Sequence, residues 1–399
     1  MFEALQKNVS FASQHTLGIP ASYLDDKVFN QDAAFLKDAP YMSTLIQNPN
    51  HIGCHTLGSS ESFFSGTQEL ERELINICAV DILQAEEKSV DGYVASGGTE
   101  ANIQAIWIYR NYYMHKYKAS IDEICIICTE DSHYSMDKAA NLLSLDLYKI
   151  RLTPERRELT NEAIHETIRS AQKSHKKYFI VISNMMTTMF GSVDNIDLLT
   201  EVFAQTNCEF KLHIDGAFGG FYYPFSNEQS HIYFKNPFVS SFTLDAHKMA
   251  QAPYGTGIFL IRKGYMHYVN TAQASYVQGE DYTLVGSRSG ANAIAAWMII
   301  VKTGPFGWSE KVFILQKRTQ WMCDQLDALG ISYYRNPFSN IITIKSNYID
   351  RHTASLFGLV PDNHNKPQWY KVVVMDHVSI EKLARLIDHL KDNSPVARK

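Results

Sequence analysis

Short apolar segments alternate with segments of helical periodicity along the middle of the chain. From residue 68 to residue 83, apolar residues recur every three or four positions, which predicts an amphipathic helix. Beyond it, strongly apolar runs are separated by stretches of helical period, and this alternation predicts a doubly wound, mostly parallel α/β sheet. The predicted strands are 92–96, 124–128, 179–183, 211–215, 241–244 and 257–261.

The pattern also divides the chain into three parts. Residues 1–60 are polar, rich in Asn, His and Ser, and without a core of their own, which suits an arm lying on another surface. Residues 61–290 contain the predicted strands and form the large domain. Residues 291–399 begin with a long helix and continue as a smaller α+β domain, whose last helix we expect to start at Ser379 as N-cap.

Composition and charge narrow the class of protein. The 399 residues are 45% hydrophobic and 20% charged, which supplies a sizeable core and excludes disorder. A formal net charge of -5 gives no attraction to nucleic acid or anionic lipid, and no apolar run approaches the ~20 residues of a membrane span. The six cysteines lack a pattern and the first residues lack a signal peptide. We expect a cytoplasmic protein with no nucleic-acid or membrane partner.

Two metal-binding patterns fail on spacing. His165 and Glu166 lie in a predicted helix, but position 169 is Arg where a zinc-protease helix needs its second His. Cys125 and Cys128 stand three apart on a predicted strand and therefore point to opposite faces. We expect buried core cysteines and no metal site.

A glycine-rich turn, Ser-Gly-Gly-Thr-Glu-Ala-Asn at 96–102, joins a predicted strand to a helix. Such a turn presents free backbone N–H groups and the positive end of the helix dipole, which suits a phosphate. The alternative is a tight strand-to-helix turn with no ligand.

Two further strand ends carry reactive side chains. His213 and Asp215 share one face of strand 211–215, and a buried Asp there needs a partner such as a protonated heterocycle, a structural Arg or a helix end. Lys248 follows strand 241–244 beside His247. Desolvation and neighbouring cations would lower its pKa and make it an imine-forming nucleophile, whereas the alternative is a solvated surface lysine.

These features converge on one cofactor. A phosphate cradle, a carboxylate for a ring nitrogen and an imine-forming lysine, all at strand ends of one sheet, are the parts that pyridoxal phosphate requires. His133, which follows strand 124–128, can stack on the ring. The sequence therefore predicts a pyridoxal-phosphate site.

The motifs together resemble those of the group II pyridoxal-phosphate-dependent amino-acid decarboxylases, most closely the shorter tyrosine/aspartate decarboxylase branch. The similarity runs from about Phe63 to the C-terminus and includes Asp-Ser-His-Tyr-Ser at 131–135, His-x-Asp-x-Ala-x-Gly-Gly-Phe at 213–221 and Asp-x-His-Lys-Met at 245–249. The resemblance implies α-decarboxylation of an L-amino acid to an amine and CO2. It also implies a fold-type I homodimer with active sites at the subunit interface.

The resemblance implies roles residue by residue. Lys248 looks like the imine-forming lysine, Asp215 like the partner of the pyridine nitrogen, and His133 like the stacking histidine. The family often has Gly before the threonine that lies near the ring, where this chain has Met186. The other implied cofactor-binding residues are Gly97, Gly98, Thr99, Thr187, Ala217 and His247.

Four residues are candidates for contact with the substrate. Tyr276, 28 residues after Lys248, resembles the family's loop tyrosine that protonates the α-carbon, often across the dimer, and Tyr282 is its rival. A tyrosine there favours amine over oxidative aldehyde formation, which the resemblance associates with Phe. Arg288 is a candidate for recognition of the substrate carboxylate or for site structure. His55 lies in the segment expected to contribute to side-chain specificity.

Three alternatives stay open on sequence alone. A C–C lyase acting on a phosphorylated long-chain base, such as sphingosine phosphate, shares several of these motifs. A decarboxylating aldehyde synthase or an aminotransferase would use the same cofactor. A degenerate binding protein is disfavoured because Lys248, Asp215 and His133 are all present. Acidic, aromatic and imidazole amino acids are all possible substrates.

Overall fold

The computed structural model of the chain describes residues 14, 15, 17, 27, 51–53, 65–206, 208–270 and 280–393. The strands in chain order are β1 (His51–Gly53), β2 (Val90–Ala95), β3 (Ile124–Thr129), β4 (Asp146–Ile150), β5 (Tyr178–Asn184), β6 (Glu209–Asp215), β7 (Val239–Asp245), β8 (Gly257–Arg262), β9 (Arg288–Ser289), β10 (Tyr333–Tyr334), β11 (Ile341–Lys345), β12 (Val360–Pro361) and β13 (Trp369–Val373). The α-helices are α1 (Ser65–Asn76), α2 (Gly98–Lys116), α3 (Ser135–Leu143), α4 (Asn161–Lys173), α5 (Ile196–Gln205), α6 (Tyr223–Ser226), α7 (Gly290–Ala328), α8 (Arg351–Leu356) and α9 (Ile380–Asn393).

Within the described part of the chain, seven strands form the central sheet, in the order β2-β8-β7-β6-β5-β3-β4. Neighbours from β7 through β6, β5 and β3 to β4 are parallel, and β8 runs antiparallel to both of its neighbours. The carboxyl ends of β2, β3, β5, β6 and β7 therefore meet at one edge of the sheet. This topology confirms the predicted α/β, fold-type I class with a mostly parallel sheet.

The apolar core lies on both faces of this sheet, as β3 shows. Cys125 and Ile127 belong to the core cluster on one face, whereas Ile126 and Cys128 belong to the cluster on the other face, with α2. Burial raises the pKa of each of these two thiols to about 12. They are core cysteines, and within the described residues no cluster of three or more His, Cys, Asp or Glu side chains could hold a metal ion.

The amphipathic segment that begins near residue 68 is helical, with an irregular end. It forms α1 as far as Asn76 and then continues as a π-helix over Ile77–Ile82. The predicted helix is thus present, but the wider last turns were not foreseen, because apolar spacing does not distinguish the two helix types.

A second, antiparallel sheet of four strands, β10-β11-β13-β12, follows the central one in the chain. The helix α7 precedes it and bends at Gly304, which has a φ of 64° and is followed by Pro305. The predicted domain boundary near residue 290 falls at the start of α7. The last helix begins as expected, because the Ser379 hydroxyl accepts a hydrogen bond from Lys382 N at 3.4 Å. Among the described helices, none is both long and apolar enough to span a bilayer.

Candidate active site

A cavity of about 250 Å³ opens at the carboxyl edge of the central sheet. Every predicted cofactor-binding residue lines it, namely Gly97, Gly98, Thr99, His133, Thr187, Asp215, Ala217, His247 and Lys248. The other lining residues are Ser96, Glu100, Asn102, Tyr134, Asn184, Met186, Thr188, Phe218, Asp245 and Tyr254. The fold thus brings together side chains that are up to 158 positions apart in the chain (from Ser96 to Tyr254).

The wall formed by the start of α2 depends on close approach of backbones. A Cβ added at Gly257, the first residue of β8, would lie 2.5 Å from Gly97 Cα. A Cβ added at Gly98 would lie 2.9 Å from Asp245 Oδ2. Within the described chain no side chain caps α2, so its first N–H groups face the cavity uncapped. This terminus can bind a phosphate.

Asp215, the last residue of β6, is oriented by two donors. Asn102 Nδ2 donates to Oδ2 at 2.9 Å, and the Ala217 backbone N donates to Oδ1 at 3.1 Å. Because the Asn102 amide group donates to Asp215, its oxygen accepts from His213 Nε2, 3.0 Å away. The carboxylate of Asp215 is therefore fixed at the cavity surface, where it can pair with a protonated ring nitrogen.

A chain of hydrogen bonds behind Asp215 fixes the direction of these contacts. Tyr109 donates its hydroxyl to Ser241 Oγ at 2.5 Å, and Ser241 lies 2.7 Å from His213 Nδ1. Burial lowers the pKa of His213 to about 4, so this imidazole is neutral at physiological pH. A neutral ring with its proton on Nε2 accepts from Ser241 and donates to Asn102, and this orients Asp215.

His133 is held by the same network. Asn102 Nδ2 also donates to Ser135 Oγ at 2.9 Å, and that hydroxyl lies 2.9 Å from His133 Nδ1. Burial lowers the pKa of His133 and favours the neutral ring. The ring of Tyr134 packs beside it, with centroids 4.1 Å apart. A neutral, positioned imidazole at the cavity wall is suited to stacking on an aromatic ligand.

Lys248 projects into the cavity from the turn after β7. Its Nζ lies 3.0 Å from Asp245 Oδ2, and its side chain is 27% exposed. Burial lowers the pKa of Lys248, but the carboxylates of Asp245 and Asp215 outweigh burial and leave the pKa raised. The expectation of a lowered pKa is therefore wrong for this chain, because the carboxylates of Asp245 and Asp215 raise the pKa more than burial lowers it.

The segment before Thr187 takes an unusual backbone conformation. Met186 is buried and has a φ of 70°, in the left-handed region that favours glycine. A glycine would adopt this conformation without the steric cost that Met186 bears. Thr187 is fixed by Ser192, since their hydroxyl oxygens lie 2.7 Å apart and Thr187 N donates to Ser192 O at 2.9 Å.

Arg288 lies outside the cavity wall and contributes to the structure around it. Its guanidinium pairs with Glu71 of α1, with Nη2 at 3.0 Å from Oε2, and donates to Val94 O at 3.2 Å. Glu71 also accepts from Val94 N at 2.7 Å, so the pair joins α1, β2 and β9. Both side chains are almost fully buried. This geometry favours the structural alternative for Arg288 over contact with the substrate.

The Glu71–Arg288 pair yields a prediction for stability. Glu71→Ala leaves a buried guanidinium without its counter-ion, and we expect the free energy of unfolding of the apoenzyme to fall by about 3 to 5 kcal/mol. Lys149→Ala removes the exposed pair with Asp137 and serves as control, with a change of about 1 kcal/mol or less. Urea denaturation measures both, and equal losses in the two variants would contradict the assignment.

Two predicted residues, His55 and Tyr276, lie outside the described residues. Tyr282 is described: its hydroxyl donates to Glu280, and its backbone O accepts from Gln104 Nε2 at 2.8 Å. It is not among the residues that line the cavity.

Sequence reasoning did not assign Asn102, Asn184 or Tyr254 to the site. Asn102 ends the glycine-rich motif, one helical turn after Gly98, and this spacing places it on the same face of α2. Asn184 ends β5, and its place at a strand's carboxyl end was an available signal. Tyr254 follows Lys248 in a loop, and its position had no signal in the sequence.

The sequence and the fold of this chain are similar to those of known proteins. Residues 51–329 match the family described as the pyridoxal-dependent decarboxylase conserved domain. The chain is 48% identical over 390 residues to a tryptophan decarboxylase from Clostridium sporogenes, covering 98% of this chain and 94% of that protein. It is 27% identical to a probable L-tyrosine/L-aspartate decarboxylase from Methanosarcina barkeri, over 93% of this chain and 95% of that protein. The structure of L-methionine decarboxylase from Streptomyces sp. 590 superposes with a TM-score of 0.79 at 18% identity, over 99% of this chain and 95% of that chain.

The chain belongs to the pyridoxal-dependent decarboxylase family. It is an enzyme, a pyridoxal-phosphate-dependent carboxy-lyase that decarboxylates an amino acid, and the family resemblance of the motifs is confirmed. The alternative as a C–C lyase is not favoured by these relatives.

The site fits pyridoxal phosphate on its own chemistry. Asp245 Oδ1 is buried and has no hydrogen-bond partner among the described residues, so this oxygen can accept a hydrogen bond from a group in the cavity. Around it lie an uncapped helix start, a fixed carboxylate, a neutral imidazole and a lysine amine. These groups match a phosphate, a ring nitrogen, an aromatic face and an aldehyde.

Proposed function

We propose that this enzyme decarboxylates an aromatic L-amino acid, tryptophan foremost, to the corresponding amine and CO2. The observation that carries the proposal is the 48% identity, over nearly the whole of both chains, to a protein named tryptophan decarboxylase. The rings of Tyr134 and Tyr254, 59% and 75% exposed and lining the cavity, support an aromatic substrate.

In this proposal the described residues divide the work of binding and proton handling. The start of α2 and His247 hold the phosphate, and Asp215 keeps the ring nitrogen protonated. His133 packs on the ring face. Asp245 pairs with Lys248 Nζ at 3.0 Å and holds the amine at the cavity. The bound cofactor supplies an electron-accepting ring that stabilises the electron pair left when CO2 departs.

The test of this proposal is product analysis. The purified, cofactor-loaded enzyme is incubated with single amino acids of acidic, aromatic and imidazole type and, separately, with a phosphorylated long-chain base, and products are identified by mass spectrometry. We expect tryptamine from tryptophan, with kcat/KM at least about tenfold higher than for aspartate, which corresponds to about 1.4 kcal/mol of discrimination. An amine from acidic substrates alone would overturn the substrate class, and phosphorylated long-chain base cleavage would overturn the reaction.

Tyr276 is proposed as the proton donor to the α-carbon. Tyr276→Phe removes the donor hydroxyl, so we expect slower amine release, by about 10²-fold, with aldehyde and hydrogen peroxide among the products. Tyr282→Phe is the matched control, because its hydroxyl contacts Glu280 and the residue does not line the cavity. If Tyr282→Phe changes the product distribution and Tyr276→Phe does not, the two assignments are reversed.

We also propose a homodimer with shared active sites, in the cytoplasm. The cavity mouth presents two exposed tyrosines, and Phe306 on α7 is 90% exposed, which supports burial against a second subunit. Five described cysteines are free thiols, which supports a reducing compartment. Light scattering of the holoenzyme measures the mass, and a monomer with full activity would contradict shared sites.

A further inference from the structure

The turn that carries His133 is fixed from its inner side. Asn184 Nδ2 donates to Ser132 Oγ at 2.9 Å and to Thr129 Oγ1 at 3.0 Å. Asn184 is itself held by Asp194, whose Oδ2 lies 2.7 Å from both the backbone N and the side-chain Nδ2 of Asn184. The residue before His133 is thus attached to the end of β5.

Arg157 fixes the same turn from its outer side. Its Nε donates to Asp131 Oδ2 at 2.8 Å, its Nη2 donates to Asp131 Oδ1, and Nη2 also donates to Glu130 Oε1 at 3.1 Å. The Arg157 and Asp131 side chains are only 13% and 10% exposed. Burial raises the pKa of Asp131 and Arg157 opposes that rise, so the guanidinium stabilises the carboxylate form. A bidentate, partly desolvated contact of this kind restricts the turn far more than a surface ion pair.

The same guanidinium connects the turn to the second sheet. Arg157 Cζ lies 4.6 Å from the centre of the Phe190 ring, and Phe190 follows Thr187 by three residues. The Phe190 ring packs edge-on against Tyr334 of β10 and Trp369 of β13, each with a centroid distance of 5.9 Å. Arg157 therefore contacts the His133 turn and a ring that is seated on the second sheet.

We infer that Arg157 is a positioning residue: by clamping Asp131 and stacking on Phe190, it ties the turn that carries His133 to the second sheet and sets the orientation of the His133 ring. The inference rests on the proposed stacking role of His133. An ion pair that served stability alone would leave the ring orientation and the catalytic constants of the folded enzyme unchanged.

The test compares Arg157→Met and Arg157→Lys with Lys149→Met as control and His133→Asn as reference. Lys149, on the neighbouring strand β4, forms an exposed ion pair with Asp137 of α3. None of its described partners belongs to the turn that carries His133. The measurements are kcat and KM for tryptophan, the visible circular dichroism of the bound cofactor, and the ¹⁵N shifts of His133 in the labelled apoenzyme.

Arg157→Met is expected to lower kcat on the order of 10- to 100-fold with KM changed by less than about threefold, because a displacement of about 1 Å at a site is enough for such a loss. Its cofactor dichroism and His133 shifts should change as well, while Lys149→Met resembles the wild type. Arg157→Lys should recover the activity only in part, since lysine keeps the charge and lacks the planar fork.

The variants distinguish a failure of the positioning role of Arg157 from a failure of the stacking role of His133. A folded Arg157→Met enzyme with wild-type kcat, dichroism and His133 shifts would overturn the inference. If Arg157→Met does not fold, the test rests on Arg157→Lys. Wild-type kcat, dichroism and His133 shifts in that variant would also overturn the positioning role of Arg157. Wild-type activity in His133→Asn would overturn the stacking role in the proposed function, whatever the Arg157 variants show.

Discussion

Lys248→Ala is expected to abolish turnover, with a loss of about 10⁴-fold or more in kcat, the scale of losing a covalent catalytic group. Lys248 is the lysine whose amine projects into the cavity, beside the Asp245 carboxylate at 3.0 Å and within the field of Asp215. Without it, the cofactor has no covalent attachment at the floor of the site. The visible absorbance of the cofactor imine should therefore disappear together with activity.

The control for this variant is Lys263→Ala. Lys263 follows β8 at the opposite edge of the sheet, where it is exposed, and its removal should leave absorbance and turnover unchanged. Stopped-flow and steady-state assays with tryptophan measure the effect. Turnover in Lys248→Ala within tenfold of the wild type would refute the assignment of this lysine.

Asp215→Asn is expected to lower kcat by about 10²- to 10³-fold, the usual result of removing one preorganised electrostatic group. The substitution keeps the size of the side chain but removes the negative charge that holds a proton on the ring nitrogen. Because Asn102 donates to Asp215, an amide at position 215 must turn its oxygen toward Asn102. Its NH₂ group would then face the Ala217 N–H, which is an unfavourable contact.

Asp197→Asn is the control for Asp215→Asn. Asp197 is 60% exposed and pairs with His231 at the surface, so its substitution should change kcat by less than about twofold. Steady-state kinetics with tryptophan, and titration of the apoenzyme with the cofactor, measure both variants. An Asp215→Asn enzyme with wild-type kcat would show that the ring nitrogen needs no charged partner in this site.

The central strands and the cavity could be predicted because they depend on local pattern and on topology. β3, β5, β6 and β7 begin and end within two residues of the predicted bounds. β3 and β5 are almost continuous apolar runs, and β6 and β7 each contain buried apolar residues that alternate with polar ones. The side chains at their carboxyl ends then had to meet at one edge. Nine predicted cofactor residues line one cavity for that reason.

Features that depend on partners distant in the chain could not be predicted. Glu71 and Arg288 are 217 positions apart, and neither residue alone indicates a buried pair. The strand β4 escaped prediction because it is a partly exposed edge strand with Asp146 and Lys149 facing out. The raised pKa of Lys248 follows from Asp245 and Asp215 together, which only the folded geometry shows.

The attachment of the cofactor to Lys248 can be tested by locating the cofactor on the chain. The holoenzyme is reduced with borohydride, digested and mapped by mass spectrometry. We expect a single phosphopyridoxyl adduct, on the peptide that contains Lys248, which the structure places among the nine predicted residues at the cavity. An adduct on another lysine, such as the buried Lys371 of β13, or no adduct at all would contradict it.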